Sequence, residues 1–245
     1  MTERQKERLH KILAQAGLGS RRACENLITS GRISIDGKRV TKIGQSIDPI
    51  KVNICCDGEP IVRQKKIYYL LNKPKGYVCT NANITRAPRA IDLLRHVDQR
   101  IFTVGRLDKD SEGLIILTND GELANLLSHP RYGIKKTYRV EIRGRITNDE
   151  IRSLKRGIWI SDGKTLPTGI KVIHRRYRSS ILDITLKEGK NREIRRILAK
   201  MEHPVISLRR IRIGPLKDDH TLKVGRYRLL NKAEIKMLYS LAIPY

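Results

Sequence analysis

Apolar residues recur along this chain in two periods, and the changes of period mark its elements. Leu9, Ile12, Leu13 and Ala16 follow the spacing of one helix face and end at Gly17, a helix-stopping C′ residue. Ser20 caps a second helix whose buried face is Ala23, Cys24, Leu27 and Ile28, with Gly31 as its stop. Ile33, Ile35 and Val40, set around Asp36-Gly37, predict a hairpin, and residues 52–56 a further strand. From residue 67 the period shortens. Residues 67–71 predict a strand halted by Asn72-Lys73-Pro74-Lys75-Gly76, which residues 77–80 resume. Residues 90–96 predict a short helix.

The pattern then tightens around one loop. Residues 101–104 and 114–117 are short apolar runs, so the spacing predicts strand, polar loop, strand. Gly105 and Gly113 bracket that loop, and Asp108, Asp110 and Glu112 lie between or beside them. Residues 121–129 predict a helix burying Leu123, Leu126 and Leu127. Residues 136–142 alternate as a strand, with Lys136, Tyr138, Val140 and Ile142 on one face. Thr147 and Glu150 form a capping box for a helix over 147–157. Trp159 and Ile160 begin a strand before an Asp162-Gly163 turn. Residues 181–186 lead through Gly189 into a helix carrying Ile194, Ile197, Leu198 and Met201. A basic strand follows over 208–216, then a helix from Asn231 whose cap Glu234 completes. The fold class is α+β.

Two domains are expected: a small two-helix-plus-hairpin unit over residues 6–63, and residues 64–245 with a mixed, mainly antiparallel sheet flanked by helices. No long Gly/Ser/Pro linker lies between them, so a short tether joins them.

Charge narrows the partners. The formal net charge is +26 on 245 residues, which points to a polyanion. A basic membrane binder needs an amphipathic helix rich in Trp and Phe, and this chain has one of each. No stretch approaches the ~18 apolar residues of a membrane span, and no apolar run follows the N-terminus. Cys24, Cys55, Cys56 and Cys79 make no CxxC, and six scattered histidines make no HxxxH, so no metal site is expected. Unpaired thiols suit a reducing cytosol. The expectation is a cytoplasmic protein, a monomer by default.

Candidate chemistry sits at basic clusters and at the acidic loop. Arg21 and Arg22 occupy the first turn of the second helix, against its macrodipole, where exposed amides and guanidiniums together make a phosphate site. Arg192, Arg195 and Arg196 ride on the first turns of the 190s helix, placed to meet phosphates or a buried acid. An aromatic such as Tyr138 near a catalytic acid suits stacking on a flipped base. Taken alone, the 105–113 loop is a solvated acidic turn, and it is no phosphate loop.

Resemblance changes that. Gly105-Arg106-Leu107-Asp108 with Ser111-Glu112-Gly113-Leu114 and Leu117-Thr118-Asn119-Asp120-Gly121 resembles the signature of the RsuA/RluB branch of pseudouridine synthases, which isomerise uridine in ribosomal RNA. Asn72-Lys73-Pro74-Lys75-Gly76, the Lys136-Thr137-Tyr138 triplet, the run from Glu188 to Arg196, and the basic strand at 208–216 are also similar to that family. Arg8-Leu9-His10-Lys11, Gly19-Ser20-Arg21-Arg22, Gly31-Arg32 and Asp36-Gly37 are similar to the small RNA-binding module named after ribosomal protein S-four.

The resemblance implies Asp108 as the catalytic aspartate, Tyr138 against the target uracil, and Arg195 paired with Asp108. It implies Arg8, Lys11, Arg21, Arg22, Arg32, Arg106, Lys136, Arg192, Arg196, Arg209 and Arg210 as RNA-binding residues. Asp108 then acts as a nucleophile at the ribose or as a base, both open here. The isomerisation involves no redox step, transfer to a second molecule or energy input, so no cofactor is expected. The partner is ribosomal RNA or a pre-ribosomal particle, and residues 211–216 look more like the large-subunit subgroup than the small-subunit one. The rival class is a non-catalytic ribosome-assembly factor using the same basic surfaces. It leaves the joint match of Asp108, Tyr138 and Arg195 unexplained. An RNA methyltransferase would need a Gly-rich cofactor loop after a strand, which is missing.

Overall fold

The computed structural model describes residues 6–82 and 85–241. Contacts divide the chain into a first unit that runs to Lys66 and includes Val97–Arg100, and a second made of Ile67–His96 and the chain from Ile101 onward.

In the first unit β1 (Glu7–Arg8) leads directly into α1 (Leu9–Gln15), and a turn at Gly17 leads to α2 (Arg21–Thr29). Ser20 caps α2 by accepting from the Ala23 amide at 3.1 Å. Ala23 itself is exposed; the helix buries Cys24 and Ile28 instead. The hairpin β2 (Ile33–Ile35) and β3 (Lys38–Val40) turns through Asp36 at φ 48° and Gly37 at φ 79°, the double positive φ of a tight I′ turn. β4 (Ser46–Ile47) pairs with β1. β5 (Ile54–Cys56) and β6 (Glu59–Pro60) complete a sheet of order β3-β2-β5-β6. Leu9, Ile12, Leu13, Cys24, Ile28, Ile33 and Ile54 form its core.

The second unit is built on one mixed sheet. Its strands are β7 (Tyr68–Lys73), β8 (Phe102–Thr103), β9 (Glu112–Thr118), β10 (Lys136–Arg143), β13 (Gly169–Arg175), β14 (Ser179–Leu186), β15 (Val205–Ile213), β16 (Leu216–Lys217) and β17 (Tyr227–Leu229). A separate two-stranded ribbon holds β11 (Ile158–Ile160) and β12 (Gly163–Thr165). The main path runs β13-β14-β10-β15-β9-β7-β17, antiparallel except where β15 lies parallel to β9 at Arg209–Glu112 and Arg210–Gly113.

Two cores sit on this sheet, one in each half. Tyr68, Leu70, Leu114 and Ile116 pack with α3 (Gly121–Ser128) and α6 (Lys232–Ser240). Val140, Ile142, Leu182 and Ile184 pack with α4 (Asn148–Arg156) and α5 (Glu193–Lys200). Each fully buried Leu or Ile contributes about 1.5–3 kcal/mol, so both halves hold independent apolar anchors. β14 buries every second residue, whereas β9 is buried on both faces from Gly113 to Thr118 and reads as a continuous apolar run.

Three local expectations change. The first strand extends through Asn72 and Lys73 because both polar side chains find partners in the interior. Residues 77–80 form no strand; Val78 makes only an isolated bridge with Arg89. The 90–96 helix is one 3-10 turn, Ala90–Leu93. No helix among the described residues is long and apolar enough to cross a membrane. All four cysteines are free, and burial pushes the Cys24 thiol up to about 11.

Candidate active site

The loop between β8 and β9 is tied down from several sides. The Ser111 amide donates to the Asp108 carbonyl at 3.1 Å, closing a tight turn, and the Gly76 amide donates to the Lys109 carbonyl at 2.7 Å. The Leu107 amide reaches the Cys79 sulfur at 3.4 Å. Lys73, 0% exposed, donates from Nζ to the carbonyls of Ser111 at 2.7 Å and Pro74 at 2.9 Å. Burial lowers the pKa of this ammonium, against the opposing pull of Cys79, Asp110 and Asp108. In the sequence, residues 72–76 read as a strand-halting element similar to the family's, with no inward role for Lys73. The signal that Lys73 faces inward was the apolar strand continuing up to it.

Asp108 opens onto a cavity of about 460 Å³, within the range of small-ligand sites. The loop contributes Arg106 and Ser111, the end of α3 contributes Ser128, and β10 contributes Lys136 and Tyr138. Residues 188–194 close another side, and Leu208 and Arg210 of β15 complete the lining. Glu193 shapes that side. Its buried carboxyl accepts from Thr165 Oγ1 at 3.0 Å and from the Lys190 amide at 3.0 Å. Burial raises its pKa, and the two hydrogen bonds pull the other way. Sequence reasoning did not single out Glu193.

The charge pairing differs from the expectation. Arg195 pairs with Asp110, at 3.0 Å to its carboxylate and 3.2 Å to its carbonyl, and not with Asp108. The guanidinium nearest Asp108 is that of Arg192, 3.6 Å from Oδ2, and it also lies 3.3 Å from Asp110. The reason is helix phase. Arg192 stands at the N-cap of α5 in the left-handed region at φ 46°, three residues before Arg195, so both meet the same loop. Both reach Asp110, and only Arg192 also comes near Asp108. Burial works to raise the Asp110 carboxyl, but Arg195 and Arg192 outweigh it and hold it below the usual carboxylate range. Asp110 is therefore the electrostatic link between the loop and α5.

Other expected RNA contacts sort by exposure. Arg106 and Arg192 are exposed at the pocket, and Lys136 lines it. Arg210 is only 2% exposed and donates from Nε to the Leu114 carbonyl at 2.7 Å, so it is too deep to meet a phosphate backbone. Arg209 points to the other face of β15 and is bound to Asp218 at 2.7 Å, away from the pocket. Arg196 is tied to Asp162 at 2.5 Å. In the first unit Arg8 donates to the Gly44 carbonyl, Lys11 lies 3.2 Å from Glu7, and Arg32 pairs with Asp57. Arg21 and Arg22 are exposed on the first turn of α2. Among the described residues no group of three or more His, Cys, Asp or Glu is placed to hold a metal ion.

Comparison with known proteins bears on this geometry. Residues 67–200 match the RNA pseudouridylate synthase family and residues 7–49 match the S4 domain. The chain is 39% identical over 241 residues to ribosomal large subunit pseudouridine synthase B of Bacillus subtilis (strain 168), covering 96% of this chain and 97% of that one. It is 37% identical over 233 residues to an uncharacterized RNA pseudouridine synthase of Aquifex aeolicus (strain VF5), covering 95% and 93%. A crystal structure of a pseudouridylate synthase superposes with a TM-score of 0.68 at 26% identity, covering 94% of this chain and 99% of that one. The matched region holds the acidic loop, β10 and the start of α5, and this chain therefore belongs to the RNA pseudouridylate synthase family, an RNA-modifying isomerase that also carries an RNA-binding S4 domain.

Proposed function

We propose that this enzyme converts a uridine of large-subunit ribosomal RNA to pseudouridine, with Asp108 as the catalytic carboxylate. The observation that carries the reading is convergence: Asp108, Tyr138 and Arg192 come from a loop, a strand and a helix cap far apart in sequence, yet line one cavity. The target nucleotide leaves its stack and enters that cavity, with the uracil against the Tyr138 ring. Arg192 orients Asp108. Both routes open to the carboxylate, addition to ribose carbon 1 and removal of the proton on carbon 2, require it ionised and aimed at the ribose. Arg195 acts one step back, fixing the loop through Asp110. Residues 6–63 serve as the docking domain, with Arg21 and Arg22 facing phosphates, and residues 64–245 as the catalytic domain. The large-subunit target is supported by the relative in Bacillus subtilis that carries that name.

The test is pseudouridine mapping of ribosomal RNA from cells lacking this protein, complemented with wild type or Asp108→Asn. One large-subunit site should vanish and return only with wild type. Return of the site with the Asn variant would remove Asp108 from the chemistry; a site in the small subunit would move the target.

A further inference from the structure

The cavity holds two cations that face no carboxylate. Arg210 spends its Nε on the Leu114 carbonyl, and its Nη2 is buried without a hydrogen-bond partner. Lys136 lies on the neighbouring strand β10, two residues from Tyr138, which is the direct cross-strand partner of Arg210. Its Nζ donates to the Ile134 carbonyl at 3.2 Å. Among the described residues neither cation belongs to an ion pair with an acid. Burial, and secondly the charge of Arg210, push the Lys136 ammonium down to about 8. Arg210 is buried and Lys136 half-buried. A cation drawn out of water without a counter-ion is costly, and two that feel each other are costlier. Such an arrangement is retained where a ligand supplies the missing negative charge.

A backbone phosphate is better matched by Arg106 and Arg192, which are exposed at the cavity, than by Arg210, which lines it with only 2% of its surface exposed. The reaction itself makes an anion at this depth. When the bond between ribose carbon 1 and uracil N1 breaks, its electron pair stays on N1 and spreads onto O2 and O4. The base then turns, carbon 5 bonds to carbon 1 of the ribose, the proton on carbon 5 is lost, and N1 takes one up. A half-turn about the line through N3 and carbon 6 exchanges N1 with carbon 5 and O2 with O4. Two donors set for the carbonyl oxygens of the substrate therefore fit the product equally well.

We propose that Lys136 and Arg210 form a uracil-anion subsite, donating to the two carbonyl oxygens and stabilising the base while it is detached. The proposal rests on the reading that the cavity receives the target uridine.

The experiment uses the full-length enzyme in single-turnover reactions on large-subunit ribosomal RNA transcribed with either UTP or 5-fluoro-UTP. Fluorine on carbon 5 stabilises the detached anion and so lessens the need for a cationic partner. Carbon 5 then has no proton to lose, so conversion of both transcripts is read as loss of the bond between N1 and ribose carbon 1 and rejoining through carbon 5. Lys136→Gln should slow conversion of the uridine transcript by roughly 10²-fold, the loss typical of removing one such donor, with RNA retention on filters unchanged. Its defect should shrink at least several-fold on the fluorinated transcript, and Lys136→Arg should recover much of the rate. Equal defects on both transcripts, or a loss of RNA binding that accounts for the whole drop, would overturn the subsite. Failure of the wild type to convert either transcript would instead strike the uridine reading on which it rests. Arg210→Lys is tested the same way only after melting shows it folded, because Arg210 also supports β9.

Discussion

Gly113 and Arg210 meet backbone to backbone: a Cβ placed on Gly113 would stand 2.3 Å from the Arg210 carbonyl oxygen and 2.6 Å from its amide nitrogen. Gly113 also holds φ at +106°, where side chains are strained. This contact is one of the two registered positions of the parallel junction between β15 and β9. The acidic loop enters the sheet there, so the closeness of the two strands sets where the loop carrying Asp108 meets the cavity lined by Tyr138.

Gly113→Ala should therefore force the two strands apart. The expected cost is about 3 kcal/mol or more, combining backbone strain with a clash that no flexible side chain can relieve. For a chain of this size that is a fall in melting temperature of roughly 6 °C or more, accompanied by loss of conversion. A melt that matches wild type would show that the junction gives easily.

Asp110 carries a pH signature. Its folded pKa lies below its unfolded value, so its pairing contributes stability above about pH 4 and loses it as pH falls through the lower folded value. The carboxylate is about half exposed, so the contribution is under ~1 kcal/mol after screening. Asp110→Asn should flatten the acid limb of denaturant-measured stability slightly. It should lower turnover more visibly, by roughly 10-fold, because the loop and α5 lose their link.

Lys136 should respond in the opposite direction. Its pKa falls from 10.5 to about 8 on folding, so its charge opposes the fold. The cost is complete below pH 8 and is relieved as pH rises toward the unfolded value. Lys136→Met should stabilise the protein at pH 7 by roughly 1–3 kcal/mol, with the gain shrinking between pH 8 and 10. Thermal melts across that range would show it; a destabilised variant at pH 7 would mean that the ammonium is well solvated.

Asp120 holds α3 and α6 together. Only 2% exposed, it caps α3 through the amides of Glu122 and Leu123 at 3.0 and 3.4 Å, and it accepts from the hydroxyls of Tyr68 at 2.8 Å and Tyr239. Asp120→Ala removes a cap and the acceptor that the Tyr68 and Tyr239 hydroxyls share, at a cost of roughly 3 kcal/mol. Tyr239→Phe should cost about 1 kcal/mol. A drop in melting temperature of similar size for both would show that the hydroxyl, not the cap, dominates.

What the sequence made legible was local. The caps at Ser20, Thr147 and Asn231 and the Asp36-Gly37 turn follow from short spacings, and each is present. β13 escaped notice because a register shift between Val172 and His174 spoils its alternation. β17 escaped because three residues carry too little pattern. The gathering of Asp108, Tyr138 and the arginines came from resemblance. Which arginine faces which acid did not, because that depends on the phase of α5 against a loop roughly eighty residues earlier. The burial of Lys73 and Arg210 was equally hidden, since a charged side chain in a sequence reads as surface until its partners are placed.

The strand order also dictates when the enzyme can come into being. β7 begins the second unit, yet one of its edges is closed by β17, and β9 waits for β15. A ribosome making this chain emits the acidic loop about a hundred residues before the strand that seats it. No stretch of nascent chain ending before β15 holds the completed cavity. The catalytic unit is thus a late, non-local folder whose early strands spend much of synthesis without their neighbours. The cavity therefore exists only once synthesis has passed β15.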